Sequence, residues 1–273
     1  MQELATNVRG RFAGSARSLG ALFVVVVFAP PLLLLLSGSL HRPGEPPKPT
    51  PDVIPDPLST EGYALAFEWG GLLRATLNSV VVAAIAVPLS VLVASAAGFA
   101  LTQIPRRIRN AVVGASVIGL MVPATALLVP KFAMFRWLNL TDTLAPLIAP
   151  ALVGASPLYV LAFYLAFRAV PQDLYDACLI EDLSPAQTWW RVAMPQVRPV
   201  TSAVAALSFV LTWSNFLDPL VFVYDRDLFT LPLALRSLAT LDPTNFPVFL
   251  AGAVLATVPA IIVYALAQRR FLK

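Results

Sequence analysis

The chain has 273 residues, of which 58% are hydrophobic and only 12% charged, with a mean hydropathy of +0.77. Soluble domains carry about 25% charged residues, so a water-soluble globular protein is excluded. The formal charge of +4 does not point to nucleic acid, because its placement along an apolar chain matters more than its sum.

Six runs lack Asp, Glu, Lys and Arg altogether: residues 18–41, 75–105, 110–130, 143–167, 199–217 and 243–268. About 20 helical residues cross the roughly 30 Å hydrocarbon core of a bilayer. Each run is therefore read as a spanning helix, which predicts an all-α integral membrane protein with six transmembrane helices. Six spans put both termini on one side. With the termini in the cytoplasm, twelve basic and five acidic residues fall inside, against seven and ten outside. The inner face is then +7 and the outer −3, as the positive-inside bias requires.

In chain order, residues 1–17 form a cytoplasmic N-terminal segment carrying Arg9, Arg11 and Arg17. Span 1 covers 18–41. Its Ser37-Gly38-Ser39 resembles a signal-peptide cleavage site, but the apolar stretch before it is longer than a usual signal core, so retention is expected. Residues 42–74 are read as an external connector, stiffened by prolines up to residue 61. Residues 75–268 form a five-span core, with Arg106, Arg107 and Arg109 in a short inner turn. Residues 269–273 are a short cytoplasmic tail. Asp218 is expected at the outer end of span 5, reaching water in a structural or gating role.

Between spans 4 and 5 lies a polar island, Val170 to Pro199, with four carboxylates in its first half and two arginines in its second. Gln172 to Ile180 follows a helical pattern, with Leu174, Ala177, Cys178 and Glu181 on or near one face. Ser184-Pro185 is a start signal for a second helix, with Ser as N-cap and Pro at the first helical position. That helix is expected to run through Trp189 and Trp190 to Pro195. The turn between the two is Glu181-Asp182-Leu183. Read without wider context, the segment is either a docking element on the cytoplasmic side or a surface pair anchored by its tryptophans.

The island resembles the cytoplasmic coupling loop of bacterial ABC importer permeases. That family shows Glu-Ala-Ala, a following Gly and a final Pro. Here Asp176-Ala177-Cys178 stands at the triplet, Asp182 at the glycine and Pro195 at the final proline. Glu181 stands where carbohydrate-type members often have Asp, and Ser184-Pro185 matches their Thr/Ser-Pro. Asn78-Ser79, Phe99-Ala100-Leu101, Met121-Val122-Pro123, Pro130, Trp213-Ser214-Asn215-Phe216-Leu217 and Thr230-Leu231-Pro232-Leu233-Ala234-Leu235 extend the likeness over roughly residues 20 to 271. The chain is similar to the second, six-span permease of maltose-type transporters.

The resemblance implies a type I ABC importer permease-like fold in the bacterial inner membrane. It implies four kinds of partner: a cytoplasmic ATPase dimer, a second, unlike permease subunit, an extracytoplasmic solute-binding protein and membrane lipid. No nucleic acid is expected. The loop residues Asp176, Ala177, Cys178, Glu181, Asp182, Ser184, Pro185 and Pro195 would couple to the ATPase, with Ala177 and Cys178 small enough for close packing against it. Asn78, Ser79, Trp213 and Asn215 are candidates for the translocation pathway. The cargo would be a sugar or sugar-like solute.

Two departures stand out. Asp182 replaces the glycine, so a left-handed turn there carries strain. The sequence also ends at Gln268-Arg269-Arg270-Phe271-Leu272-Lys273, where relatives often continue into a Gly-rich tail that reaches the ATPases, so the resemblance leaves contacts of that kind open.

No catalytic set, no phosphate-cradling glycine loop and no metal-ligand spacing occurs in the sequence. Cys178 has no histidine beside it in sequence, and the single histidine, His41, is predicted outside. ATP and Mg are therefore expected on the partner ATPase, with no cofactor on this chain. An ion-coupled secondary transporter is the alternative. It would need ionisable groups within the spans, and the charge-free runs argue against it. A membrane-embedded enzyme would need clustered polar groups at one membrane face.

Overall fold

The computed structural model describes Phe23 and residues 26–45, 54–241 and 243–271. Among these residues every regular element is helical. Helix α1 covers Val26–Ser39. Helix α2, Glu61–Gly70, lies in the stretch expected to be the external connector, at the end of its Pro-rich part. Gly71 then turns left-handed at φ +56°, a conformation open to glycine, and the 32-residue α3 runs over Leu72–Gln103. Helix α4 covers Arg106–Met121.

The expected straight span over 110–130 does not form. Pro123 cannot continue the α4 ladder and pushes Val122 to an extended conformation (ψ 118°). A one-turn 3₁₀ segment, Ala124–Leu127, leads into α5, Leu128–Trp137. The chain bends by 93° between Arg106–Met121 and Ala124–Trp137.

The run 143–167 is also broken. It holds α6 (Ala145–Ile148), a 3₁₀ turn (Ala149–Val153) and α7 (Pro157–Arg168). Gly154 and Ala155 are left-handed, at φ +80° and +59°. Ser156 restarts the helix by accepting a bond from the Leu158 N–H, with Pro157 in the first turn.

The polar island forms α8 (Gln172–Ile180), α9 (Pro185–Gln187), a π-helical stretch (Thr188–Ala193) and α10 (Met194–Gln196). Contrary to expectation, Pro195 does not end the second helix. In an α-helix its missing N–H and its ring would disrupt the bond to the carbonyl four residues back. The wider π turn, in which the Met194 N–H donates to the Trp189 carbonyl, carries the helix on to Gln196. Helices α11 (Arg198–Trp213), α12 (Leu217–Phe222), α13 (Leu231–Ala239) and α14 (Phe246–Phe271) complete the chain.

Among the described residues, three helical stretches are long and apolar enough to cross a membrane: Leu72–Gln103, Ala145–Arg168 and Phe246–Ala265. The bent pair at Pro123 makes a fourth. The two runs not among these four are 18–41, where Val26–Ser39 is a shorter apolar helix, and 199–217, where α11 ends at Trp213 after 16 residues. Part of run 18–41, including residues 18–22, lies outside the described residues.

Two compact units divide the chain, one of Met1–Gly70 with Leu238–Leu255 and one of Gly71–Ser237 with Ala256–Lys273. In the first, the buried Ser39 hydroxyl lies 2.8 Å from the Tyr63 hydroxyl, and Gly62 packs on the Pro247 carbonyl. In the second, α3 is the central rod, packed along α7 and α11. Phe99 meets Phe167 edge-on at 5.5 Å, and Phe163 stacks on Phe167 at 5.9 Å. Leu73, Leu77, Ile85 and Leu92 of α3 remain exposed, as suits a surface bathed in lipid.

Gly98 permits the α3–α7 contact. A Cβ there would lie 2.7 Å from the Phe163 Cβ, 2.8 Å from the Tyr164 nitrogen and 2.9 Å from the Val160 oxygen. Two of these atoms are backbone and cannot swing aside. Gly98→Ala is expected to cost about 1–3 kcal/mol, read as a lowered thermal midpoint in detergent.

Candidate functional site: a capped loop and a membrane cavity

The loop is stiff because both of its helices are closed by their own side chains and backbone. Helix α8 ends with Asp182 left-handed at φ +53°. The Asp182 N–H donates to the Leu179 carbonyl (3.2 Å) and the Leu183 N–H to the Cys178 carbonyl (3.0 Å). This is the paired closure that a left-handed residue after a helix permits, and glycine fills that place without strain. Asp182→Gly is therefore expected to leave the fold intact and raise its thermal midpoint slightly. Asp182→Val is expected to cost about 1–2 kcal/mol, measured by circular dichroism on heating.

Ser184 opens the second helix with a reciprocal cap. Its hydroxyl accepts from the Gln187 N–H (3.4 Å), and the Gln187 side chain accepts from the Ser184 N–H (2.9 Å). The sequence pattern Ser-x-x-Gln already carried this signal.

The two faces of α8 differ. Cys178 is buried and faces its own chain, so it is unavailable to a partner, whereas Ala177 beside it is exposed. Tyr175 donates its hydroxyl to the Phe167 carbonyl (3.0 Å) and lies 6.2 Å from Phe99. Burial, and secondly the neighbouring Cys178, push the Tyr175 hydroxyl above its ordinary pKa and keep it a neutral donor. The outer face presents Asp173, Asp176, Ala177 and Ile180, all exposed and at helical spacing. Gln172 holds Asp176 through a 3.1 Å bond. Ile180 is 85% exposed and Leu179 74%, an apolar tip that the motif comparison overlooked. Glu181, Asp182, Ser184 and Pro185 are also exposed, while Pro195 is half-buried.

A second feature lies within the α3 unit. A cavity of about 310 Å³ is lined by apolar side chains together with hydroxyls of Ser79, Ser90, Tyr159 and Ser208, the Asn215 amide and the Asp218 carboxylate. Thr230 also lines it, and its buried hydroxyl has no hydrogen-bond partner. Ser79 accepts from the Leu231 N–H at 2.8 Å. Asn215 donates to Asp218 (3.0 Å) and accepts from the Asp218 N–H (3.2 Å). Lys131 pairs with Asp218 at 2.8 Å, their side chains 26% and 18% exposed.

The other two pathway candidates lie outside the lining. Asn78 donates to the carbonyls of Asp227 (2.8 Å) and Phe229 (3.0 Å), and Trp213 donates to the Ala256 carbonyl (3.0 Å). Spacing alone does not reveal these bonds to distant backbone carbonyls. Near the same loop, Asp142 accepts from the N–H groups of Tyr224 and Asp225, which hold its carboxyl below the usual range.

The profile of the family described as binding-protein-dependent transport system inner membrane component matches residues 59–272. The chain belongs to that family. It is thus a multi-pass inner-membrane component of an ABC importer, as the loop motif suggested. It is 31% identical over 258 residues to the arabinooligosaccharides transport system permease protein AraQ of Halalkalibacterium halodurans, covering 93% of this chain and 92% of that one. The diacetylchitobiose uptake system permease protein NgcG of Streptomyces coelicolor is 29% identical, with 95% and 86% covered. The fold matches a chain of a bacterial ABC transporter involved in the import of the acidic polysaccharide alginate, with TM-score 0.76 at 18% identity, covering 95% and 96% of the two chains.

Proposed function

We propose that this permease moves an oligosaccharide or a related sugar-like solute inward, driven by a separate cytoplasmic ATPase dimer that docks on loop 170–199. The observation that carries the coupling is the doubly capped loop with its exposed Asp173–Asp176–Ala177–Ile180 face. A force-bearing element must not fray at its ends, and here both helix ends at the turn are closed by capping bonds. The sugar-related names of the relatives support the cargo class. The hydroxyls lining part of the cavity suit a ligand rich in hydroxyls.

In this reading the chain crosses the membrane six times with cytoplasmic termini. It pairs with a second, unlike permease and receives cargo from an extracytoplasmic binding protein. ATP and Mg bind the ATPase. Closure of the ATPase dimer pushes the loop, and the spans rock between inward- and outward-open states.

The test is purification of the tagged chain from its native membrane, followed by mass spectrometry. An ATPase, a second permease and a binding protein are expected together, with the binding protein then screened against oligosaccharides. Recovery of the chain alone, with uptake that survives ATP depletion but fails when the ion gradient collapses, would replace this reading with a secondary transporter.

A further inference from the structure

A second cavity, of about 330 Å³, lies behind the capped loop, against the ends of α3 and α7 and the first turn of α4. Two arginines line it, Arg109 and Arg168, and no carboxylate does. The four acidic residues of the loop, Asp173, Asp176, Glu181 and Asp182, are all exposed and outside the lining. The Arg109 Nε is sealed from solvent and has no hydrogen-bond partner. A buried polar atom without a partner is costly, more so on a charged group. At the cavity's edge the exposed Arg168 is steadied by Tyr164, with its Nη1 3.4 Å from the hydroxyl and its guanidinium carbon 5.7 Å from the ring centroid. Apolar side chains, Phe99, Phe167 and Leu183 among them, also line it.

Cations without anions, one donor unanswered, and apolar side chains in the same lining describe a receptor for an amphiphilic anion. Guanidinium groups match phosphate oxygens in geometry as well as charge. Basic pockets beside membrane helices hold the headgroups of anionic lipids. We propose that this cavity binds one phosphate-bearing ligand, the headgroup of an anionic phospholipid or a soluble phosphate monoester. Gln172, Tyr175 and Leu179 of α8 form part of its wall, so the ligand ties α8 to the ends of α3 and α7. Only this consequence rests on the coupling reading; the binding itself does not.

The full chain, purified without the ATPase and delipidated, would be titrated with phosphatidylglycerol or phosphatidylcholine and the bound lipid counted by native mass spectrometry. About one phosphatidylglycerol per chain is expected, with affinity reduced at least ~tenfold in R109Q/R168Q. The control R106Q/R107Q removes equal charge outside the lining and is expected to bind as wild type. Gln103→Glu, which places a carboxylate on the lining, is a second variant should the arginine variant fail to fold, and it too is expected to weaken binding. A parallel titration with glycerol 3-phosphate in lipid-free detergent separates the sources. Saturation there with the same Arg109 and Gln103 sensitivity, and no preference for phosphatidylglycerol, assigns the site to a soluble phosphate. Equal retention of both lipids with no phosphate binding overturns the proposal. So does an equal loss in R106Q/R107Q, which would mean diffuse surface charge. Failure here leaves ATPase docking at Ile180 untouched, because no ATPase is present.

Discussion

Ile180→Lys is expected to cut substrate-driven uptake and binding-protein-stimulated ATP hydrolysis by at least ~tenfold, with unchanged amounts of the chain in the membrane. Ile180 is 85% exposed and ends α8 beside Leu179, which is 74% exposed. Burying such a side chain against a partner is worth about 1.5–3 kcal/mol, and each ~1.4 kcal/mol is a factor of ten in affinity. A lysine forfeits that burial and adds a charge to be desolvated. Within its own chain Ile180 touches little, and a cation at a helix C-terminus suits the dipole, so the fold is left nearly unchanged. Ile180→Leu serves as the control and should keep most of the activity. Wild-type uptake and ATP hydrolysis in the lysine variant would move the docking face away from the tip of α8.

Breaking the Lys131–Asp218 pair from one side is expected to harm the protein more than removing both charges. The pair joins α5, just beyond the 93° bend, to α12. Lys131 also sits 5.5 Å from the centroid of the Phe222 ring, in a cluster with Phe135 and Leu147. Both side chains are largely shielded, so the survivor of a single substitution keeps a poorly solvated charge. Lys131→Met or Asp218→Asn alone is expected to lose about 2 kcal/mol, less than for a fully buried pair. The double variant should recover at least ~1 kcal/mol of the summed loss. Asn215 can still bond to an asparagine at 218, which preserves the local turn. Thermal midpoints of the four proteins in one detergent give the coupling directly, and strictly additive losses would show that the pair contributes nothing.

Much of the loop was legible in advance because its signals are local. Ser184-Pro185 announces a helix start through capping chemistry, and Asp182 occupies the place where a glycine would relieve a left-handed turn. Helical spacing brings Leu174, Ala177, Cys178 and Glu181 on or near one face. It does not say whether that face is bare. Ala177 and Cys178, small contact residues alike by their sequence, part company in the structure: Ala177 is exposed and Cys178 is buried. The breaks at Pro123 and at Gly154-Ala155-Ser156-Pro157 were written in turn chemistry, but a count of charge-free residues does not register it.

Composition and hydropathy by themselves determined the membrane class, the helical fold and a single polar island, because burial in lipid leaves a backbone few alternatives to the helix. Residue order within the island determined its caps. Tertiary structure alone decided which groups meet across long separations. Lys131 and Asp218 lie 87 residues apart, and Asn78 reaches a carbonyl 149 residues away. Arg109 faces a loop that begins some sixty residues later. No local propensity encodes such encounters. They arise when α3 packs against α7 and α11, and that packing depends on a hydrogen atom at Gly98 where any side chain would collide with backbone.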